Sequence, residues 1–387
     1  MSASELRLIA HRNRERYLEL LARLVRIETP SRDLEGAAAF VEHLEEVLTS
    51  MGWRAERQPR DGVGDVLVAR LGEERDGPAT LLLCHYDTVH PRGGFGPQTW
   101  RVEGDVARGP GVVDMKAGIA GAVLAPELLD EIGAAPIGPL TLLVSSDEEI
   151  GSAASRELIE AEAAAHARVF VLEPSRDDGA LKAGRKGVGG YRIRLRGRAS
   201  HAGLAPHDGA SALVELAHLV LEVAGLGDDA LGTTVTPTVA QAGTATNVVA
   251  EEAELSVDVR FLETAEAQRV DEAVRSYAPR DVRVSPEVSG GLGRPPMEPN
   301  EANRRLLSLA QRLAAEAGWE AEGSVVGGGS DGNFTSALGV PTLDGLGSVG
   351  GGAHTRDEHV RVGETLDRLA LLAALLMSPS TSVRHGQ

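Results

Sequence analysis

Residues 140–152 read LTLLVSSDEEIGS, a stretch in which an apolar run ends in three adjacent carboxylates. The run LTLLVSS has the length and composition of a buried β-strand. Asp147, Glu148 and Glu149 follow it directly and repel one another, so their position at the end of such a strand requires a physical reason. The stretch therefore predicts both a strand of the core and a site where negative charge is concentrated.

Three other segments have the same strand-like composition, and helical patterns separate them. The strand-like runs are VLVARL (66–71), TLLLCH (80–85) and RVFVLE (168–173). Strands that alternate with helices predict an α/β fold, in which a sheet with substantial parallel pairing carries helices on its faces. The helices are expected from the apolar spacing at residues 4–27, 34–50, 115–133 and 152–165.

The pattern changes at about Gly187. The segment GYRIRLRG (190–197) alternates apolar and charged residues, which is typical of a half-exposed strand. The elements after it are expected in the β-α-β-β-α-β order of a ferredoxin-like fold, with helices at 209–225 and 264–278 and strands at 233–241, 253–261 and 281–289. GGLGRPP (290–296) is interpreted as a return linker, followed by a helix at 300–317, a strand near Pro341 and a helix at 363–377.

The organisation predicted is one α/β domain interrupted by a smaller α+β insertion. Residues 1–186 and 296–387 would form the larger domain, and residues 187–295 would form the insertion. A chain of 387 residues is long enough for two domains.

The bulk composition narrows the classes of function. The formal charge of −18 argues against binding to nucleic acid or to an anionic membrane. Cys84 is the single cysteine, which excludes an intrachain disulfide and fits a reducing compartment. No run approaches the roughly 20 apolar residues of a membrane span. We expect a cytoplasmic enzyme, with Cys84 in a packing role.

Potential metal ligands lie where the strand-like runs end. His85 and Asp87 follow TLLLC, and Glu173 follows RVFVL, as the acidic trio follows LTLLVSS. In open α/β sheets the sites form at the carboxyl ends of the strands, so these residues are expected to converge. Two loop residues are further candidates: Asp114 in GPGVVDMKAG and His354 in GGGAHTRDEH.

Each of these residues also has an ordinary structural explanation. His85 would be a polar cap at the sheet edge, and Asp114 would be a helix N-cap. Glu149 would be a solvated loop carboxylate, and Glu173 would be a turn residue before Pro174. The joint pattern is less easily explained, since two imidazoles and three carboxylates suit a pair of divalent ions. A further acid nearby would transfer the proton between water and a leaving amine.

Seven segments together resemble the dizinc aminoacylase and carboxypeptidase family. That family includes glutamate carboxypeptidase, acetylornithine deacetylase and succinyl-diaminopimelate desuccinylase. The segments span most of the chain in the family's order, and their combination is specific although no single one is. They are CHYDTV (84–89), GPGVVDMKAG (109–118), SSDEEIGS (145–152), LEPS (172–175), GRASHAGLAPHDGASA (197–212), GGGSDGNF (327–334) and GGAHTRDEHV (351–360).

The resemblance implies a zinc-exopeptidase-like mixed sheet and two zinc ions per subunit, with cobalt or manganese as alternatives. His85 and Glu173 would hold one ion, Glu149 and His354 would hold the other, and Asp114 would bridge them. The peptide bond after Asp114 would be cis.

The remaining roles at this edge of the sheet also come from the resemblance. Asp87 would orient the His85 imidazole, and Glu148 would be the general base and acid. The choice of Glu148 as base and Glu149 as ligand rests on the resemblance alone. Asp147 has no implied role, and we expect it to cap local structure before the helix predicted at 152.

The insertion would be a lid and dimerisation domain, which implies a homodimer. His201, in RASHAG, would reach the partner subunit's site and stabilise the oxyanion, and Asn247 would also act in trans. Asn247, Arg260 and Arg294 would bind the substrate's carboxylate. As ordinary alternatives, His201 would be a turn histidine, and the two arginines would form surface salt bridges.

The resemblance favours a hydrolase that cleaves the amide of a peptide or N-acyl amino acid with a free carboxylate. Glutamate is the leading choice for the released residue, because RVEGD (101–105), TNVV and GRP are closest to glutamate carboxypeptidase. The near alternative is an N-acetyl or succinyl amino-acid deacylase, and the remote one is a catalytically silent metal-binding scaffold. Specificity depends on pocket shape, which sequence does not reveal.

Overall fold

The computed structural model describes residues 2–379, which form two compact units. Unit 1 contains the described residues up to Gly184, Pro299–Val326 and the described residues from Ser330 onward. Unit 2 contains Arg185–Glu298 together with Gly327–Gly329. Unit 2 is thus an insertion in the chain of unit 1. In the described part of the chain, no helix combines the length and apolar character needed to cross a membrane.

The elements are numbered in chain order. The helices are α1 (Ala3–Arg12), α2 (Arg14–Arg26), α3 (Leu34–Ser50), α4 (Ala117–Asp130), α5 (Arg156–Ala164), α6 (Ala212–Ala224), α7 (Thr264–Arg275), α8 (Glu301–Glu316), α9 (Gly332–Ala337) and α10 (Val362–Met377). The strands are β1 (Arg54–Gln58), β2 (Val66–Leu71), β3 (Thr80–His85), β4 (Arg101–Glu103), β5 (Val106–Arg108), β6 (Leu140–Ser145), β7 (Arg168–Val171), β8 (Leu181–Arg185), β9 (Gly187–Arg196), β10 (Thr234–Ala242), β11 (Glu252–Phe261), β12 (Ser285–Arg294), β13 (Gly323–Val326), β14 (Thr342–Leu343), β15 (Gly350–Gly351) and β16 (His359–Arg361).

The main sheet of unit 1 has the strand order β1-β2-β6-β3-β7-β14. Strands β3, β6, β7 and β14 run parallel, whereas β1 and β2 are antiparallel to their neighbours. Every residue of β3 and β6 is buried, as expected for central strands covered on both faces. The mixed α/β sheet predicted from the sequence is confirmed, and it places the carboxyl ends of β3, β6 and β7 side by side.

Several helices of unit 1 differ from their predicted bounds. The helix expected at 4–27 is two helices, because the Asn13 side chain donates to the Ile9 carbonyl and competes with helix continuation. The helix expected at 152–165 begins only at Arg156, because Gly151 and Ser152 have positive φ values of 99° and 57°.

Unit 2 has the predicted β-α-β-β-α-β order, formed by β9, α6, β10, β11, α7 and β12. Its sheet is antiparallel in the order β10-β11-β9-β12, and the inward side chains of β9 and β11 pack with α6 and α7. The ferredoxin-like arrangement is confirmed. The return linker predicted at 290–296 is wrong, since β12 continues to Arg294. Gly290 allows this continuation, because a Cβ there would lie 2.2 Å from the Gly190 carbonyl oxygen.

A small four-stranded sheet in unit 1, of order β15-β16-β5-β4, was not predicted. Its strands have only two or three residues each, so they carry too little apolar periodicity for recognition. Strands β4 and β5 form a hairpin that turns at Gly104, where φ is 62°. This sheet connects the segment before Asp114 with the segment after His354.

Replacement of Glu266 by Gln is expected to destabilise unit 2 in a pH-dependent way. The Glu266 carboxylate accepts hydrogen bonds from Arg269 Nε (2.8 Å) and Nη2 (2.7 Å) and from Thr233 Oγ1 (2.8 Å). These bonds, above all those from Arg269, lower the pKa of Glu266 to about 2. We expect E266Q to reduce the free energy of unfolding by roughly 1–2 kcal/mol at neutral pH.

The sign of the pH dependence follows from the lowered pKa. In the unfolded chain the Glu266 carboxyl binds its proton near pH 4. The stabilisation that the ionised carboxylate gives the folded state is therefore complete above about pH 5 and is lost as the pH falls towards 2. Urea unfolding from pH 3 to pH 7 measures this, with E272Q on the same helix as the control. A difference between wild type and E266Q that stays constant across this range would contradict the assignment.

Candidate metal centre

The carboxyl ends of three neighbouring parallel strands carry the predicted ligands. His85 is the last residue of β3, Glu173 follows β7, and Glu149 follows β6 in a short 3-10 turn, Glu148–Ile150. Strand pairing sets His85 beside Ser145. The sheet therefore brings these residues to one edge, as the sequence predicted, although they are far apart along the chain.

Asp114 lies between the two imidazoles. Its Oδ1 is 3.2 Å from His85 Nε2, and its Oδ2 is 3.4 Å from His354 Nε2. The same nitrogen of His85 is 3.4 Å from Glu173 Oε1, and that of His354 is 3.2 Å from Glu149 Oε2. Each imidazole thus faces one carboxylate of its own and one oxygen of Asp114.

The backbone after Asp114 has the unusual conformation that the resemblance implied. The Asp114–Met115 peptide bond is cis, which confirms the expectation from the resemblance. Asp114 itself lies outside helical geometry, and α4 begins only at Ala117. The simple alternative for Asp114, a helix N-cap, is therefore not what the structure contains.

Glu358 holds the Asp114 segment in place, a role that no sequence pattern predicted. Its side chain is fully buried, and its carboxylate accepts the backbone N–H groups of Gly111 (3.0 Å), Val113 (2.8 Å) and Asp114 (3.1 Å). The same carboxylate is 2.5 Å from His90 Nε2. In the sequence, the only available signal was its place in DEHV, shortly after His354.

Asp87 organises more than the His85 imidazole. Its backbone carbonyl is 3.0 Å from His85 Nδ1, and its Oδ1 is 3.5 Å from the same nitrogen. Its carboxylate also accepts the backbone N–H groups of Glu148 (3.1 Å) and Glu149 (3.3 Å) and the hydroxyl of Ser31 (2.7 Å). One buried carboxylate therefore positions residues that follow two different strands.

Asp147 has the local capping role that the sequence suggested. Its Oδ2 accepts the backbone N–H of Ala154 at 2.7 Å, and its Oδ1 accepts the hydroxyl of Ser155. Burial raises the pKa of Asp147, and these hydrogen bonds partly offset that effect. Cys84 is buried in the main hydrophobic core, which confirms its expected packing role.

The ionisable groups of the centre shift one another's pKa values. Burial by itself would lower the pKa of His85, but hydrogen bonds that its ring donates to the carboxylates of Asp114, Asp87 and Glu173 raise it well above its usual value. Asp114 and Glu149 raise the pKa of His354 to about 10. Burial tends to raise the pKa of Asp114, and the two histidines outweigh it and lower that pKa. Burial raises the pKa of Glu149, and the hydrogen bond with His354 partly offsets that effect.

The donor set fits divalent metal ions. One group of ligand atoms from His85, Asp114 and Glu149 lies within 4.8 Å, and so does another from His85, Glu148 and Glu173. Imidazole nitrogen and carboxylate oxygen are the ligands of catalytic zinc sites. Several buried carboxylates that converge on one point repel one another unless cations lie between them. The Glu148 carboxylate is close enough to His85 and Glu173 to bind the same metal ion. Geometry alone therefore does not decide which of Glu148 and Glu149 is the ligand and which is the base.

The other predicted site residues belong to unit 2. His201 Nδ1 accepts the backbone N–H groups of Gly203 and Leu204, each at 3.1 Å. Asn247 lies beside this turn, since its carbonyl accepts the N–H of Ala202 at 2.9 Å. The structure therefore brings His201 and Asn247 together.

The two candidate arginines of unit 2 lie on its sheet. Arg260 forms a two-pronged ion pair with Asp258, with distances of 3.0 Å from both Nε and Nη2. Arg294 is the last residue of β12, where it is paired with Val188 and buried. It therefore ends a strand and does not lie in a linker.

Comparisons with known proteins are consistent with this geometry. The model of peptidase family M20/M25/M40 matches residues 81–378. Carboxypeptidase G2 of Pseudomonas sp. (strain RS-16) is 35% identical over 93% of this chain and 88% of its own length. Succinyl-diaminopimelate desuccinylase of Alkalilimnicola ehrlichii is 32% identical over 84% of this chain and 90% of its own. The fold is similar to that of aminopeptidase PepT from Bacillus cereus, with a TM-score of 0.81 at 23% identity over 94% of this chain and 98% of that one.

Proposed function

The chain belongs to peptidase family M20/M25/M40, and on that premise we propose that it is a dizinc carboxypeptidase that releases a C-terminal amino acid, glutamate in the first instance. Membership confirms the resemblance carried by the seven sequence motifs, and it makes the chain a metal-dependent hydrolase of amide bonds. Zinc as the ion, two ions per subunit, and glutamate as the released residue are the parts that we propose.

The position of Asp114 is the observation that carries the two-ion proposal. One oxygen of its carboxylate faces His85, and the other faces His354. Each imidazole has a second carboxylate, Glu173 or Glu149, at a similar distance. A carboxylate shared between two histidine-carboxylate pairs is an arrangement that suits a pair of ions. When bound, two zinc ions would supply Lewis acidity to the substrate carbonyl and to the attacking water.

The residues around the centre would perform the proton transfers. Glu148 lies in a turn whose backbone N–H groups are held by Asp87, so its carboxylate is presented from a fixed backbone. As a general base it would take a proton from water, and as a general acid it would give that proton to the leaving amine. Its position beside His85 and Glu173 supports this role.

His201 has the hydrogen-bonding state that oxyanion stabilisation needs. Because Nδ1 accepts two backbone N–H groups, the proton of the neutral ring lies on Nε2. The outward nitrogen is therefore a donor, suited to a developing negative charge. Asn247 lies next to His201, and its amide would contact the substrate together with Arg260 and Arg294. In the structure the Arg260 guanidinium is paired with Asp258, as in the salt-bridge alternative, so a substrate carboxylate would have to replace or share that partner.

A substrate panel and a metal analysis test the proposal. Purified enzyme would be assayed with N-acyl glutamates, glutamate-terminated dipeptides, N-acetylornithine and N-succinyl-diaminopimelate. We expect the highest kcat/KM for the glutamate substrates. A preference for N-acetylornithine or N-succinyl-diaminopimelate would favour the deacylase alternative, which the similarity to the desuccinylase supports. Fewer than two ions per chain in dialysed, active enzyme would contradict the dizinc centre.

We also propose that the protein is a homodimer in which unit 2 forms the contact. Helix α6 carries large apolar side chains that are exposed to solvent: Leu213 by 51%, Val214 by 58% and Leu221 by 75%. Val214 and Leu221 are two turns apart, so they lie on one face of the helix. Strand β10 is an edge strand whose unpaired backbone can pair with a second chain. Such a dimer would allow His201 and Asn247 to act in the partner's site.

The substitution L221D is expected to convert the dimer to a monomer, because it places a charge within the apolar face at its most exposed residue. Sedimentation velocity of the wild type and the variant measures the change. The control is L8D on α1, because Leu8 is similarly exposed, by 72%, and lies in unit 1. The proposed contact would be refuted if wild type were a monomer at micromolar concentration, or if L8D dissociated the dimer equally.

The proposed compartment is the cytoplasm. The one cysteine, Cys84, is buried and unpaired, which is compatible with a reducing environment.

A further inference from the structure

A pocket of about 210 Å³ in unit 1 is lined by three arginines. They are Arg101, Arg108 and Arg356. The rest of the wall is formed by Gly94, Phe95, Gly96, Gln98, Thr99 and Gly109. None of the residues that line the pocket, all of which belong to the described part of the chain, is acidic. In a chain with a formal charge of −18, a concave surface lined by three cations and no anion is unexpected.

The strand register places like charges directly opposite one another. Arg101 of β4 pairs with Arg108 of β5, and Arg108 pairs in turn with His359 of β16. Directly opposed residues on antiparallel strands extend to the same face of the sheet, and like charges there are destabilising. The sequence therefore breaks a local rule at this position, and such breaks mark functional sites.

The charges of these arginines are poorly compensated within the protein. Arg101 Nε is 3.8 Å from the carboxylate of Glu103, which is 70% exposed. Arg108 donates from Nη1 to the backbone carbonyl of Asp357 at 3.0 Å, which leaves its charge unneutralised. Among residues 2–379, the side chain of Arg356 forms no hydrogen bond or ion pair. Each guanidinium thus retains donors for a ligand.

We propose that this pocket binds a carboxylate or phosphate group of a small molecule. Guanidinium forks bind such oxyanions through paired hydrogen bonds, and the anion would remove the repulsion between Arg101 and Arg108. The volume admits one such group with its nearest atoms. Two sources share this chemistry: a second anionic group on the substrate, and a free anion. The first source rests on the proposed function, whereas the binding itself does not.

The pocket is connected to the metal centre through the chain. Arg356 follows His354 in the same loop, and Gly109 precedes the segment that Glu358 holds around Asp114. The C-terminal carboxylate of the substrate is assigned to unit 2 under the proposed function. An anion bound in the pocket of unit 1 would therefore be a different group, such as a carboxylate on the acyl side.

Calorimetry with the metal-loaded enzyme tests the binding. Inorganic phosphate and glutarate would be titrated at low ionic strength into wild type, the double variant R101M/R356M and the control R54M. Arg54 is an exposed arginine of unit 1, paired with Glu73 outside the pocket. We expect the double variant to bind at least one anion tenfold more weakly, or not at all, while R54M binds like wild type. Any anion that binds at the metal centre would bind in all three proteins. The difference in anion affinity between them therefore measures binding in the pocket.

Steady-state kinetics on the same three proteins distinguishes an anionic group of the substrate from a free anion. If the anion belongs to the substrate, the double variant raises KM for N-succinylglutamate about tenfold and leaves N-acetylglutamate unchanged. If it is free, phosphate alters kcat/KM for N-acetylglutamate in wild type and not in the double variant. Anion binding in the pocket is refuted if wild type and the double variant bind the anions equally well. It is also refuted if R54M weakens anion binding as much as the double variant does. If wild type hydrolyses none of the glutamate substrates, only the proposed function is refuted, because calorimetry still measures whether the pocket binds an anion.

Discussion

The substitution E148Q is expected to reduce kcat by roughly 10²–10⁴-fold, the usual contribution of a general acid-base group. Gln keeps the shape of the side chain and its backbone contacts with Asp87, but it cannot accept the proton of water. KM is expected to change little, since the lost interaction belongs to the transition state. Steady-state kinetics on an N-acylglutamate would measure both parameters, and the metal content would be determined on the same sample.

The metal content separates the two roles that geometry leaves open for Glu148. If it is the base, E148Q keeps the full complement of ions. If it is a ligand, the variant loses an ion along with activity, and the roles of Glu148 and Glu149 must be exchanged. The control is E157Q, which neutralises an exposed carboxylate on α5. Activity of E148Q within about tenfold of wild type would exclude Glu148 as the base.

The second large effect is expected at Glu358, which touches none of the proposed metal-binding atoms. In E358Q an amide NH₂ replaces one carboxylate oxygen and faces N–H donors that the carboxylate now binds. Buried donors left without an acceptor cost about 1–3 kcal/mol each, so we expect the free energy of unfolding to fall by roughly 2–4 kcal/mol. The Asp114 segment would also lose its fixed position, and residues that support metal ligands typically contribute 10–100-fold to metal affinity.

Two measurements on E358Q distinguish positioning from simple destabilisation. Competition with a chelator gives the zinc affinity, and activity at saturating zinc shows whether the centre can be refilled. We expect weaker zinc binding and recovery of most of kcat with excess zinc. The matched control is D357N, which neutralises the neighbouring exposed carboxylate. A variant that loses stability but binds zinc as tightly as wild type would show that Glu358 does not position Asp114.

Much of the architecture was accessible from the sequence, because its signals are local and periodic. The apolar runs of β3, β6 and β7 are long enough to identify buried strands, and the alternation in β9 identified a half-exposed one. Short elements could not be predicted, because strands of two or three residues, such as β4 and β16, are too short to show a periodic pattern. Helix ends were misplaced where local side-chain bonds or positive φ values decided them, as at Asn13 and Gly151.

The sequence alone determined which residue types stand at the ends of the central strands, and therefore which chemistry the sheet edge can support. The placement of His85, Glu149 and Glu173 follows from the strand ends, which the apolar runs indicate, and from parallel pairing, which the alternation of strands with helices indicates. Only the tertiary structure decided what surrounds them. Glu358 and the Arg101–Arg108 pair depend on contacts and strand register between distant segments, and no local pattern records such contacts.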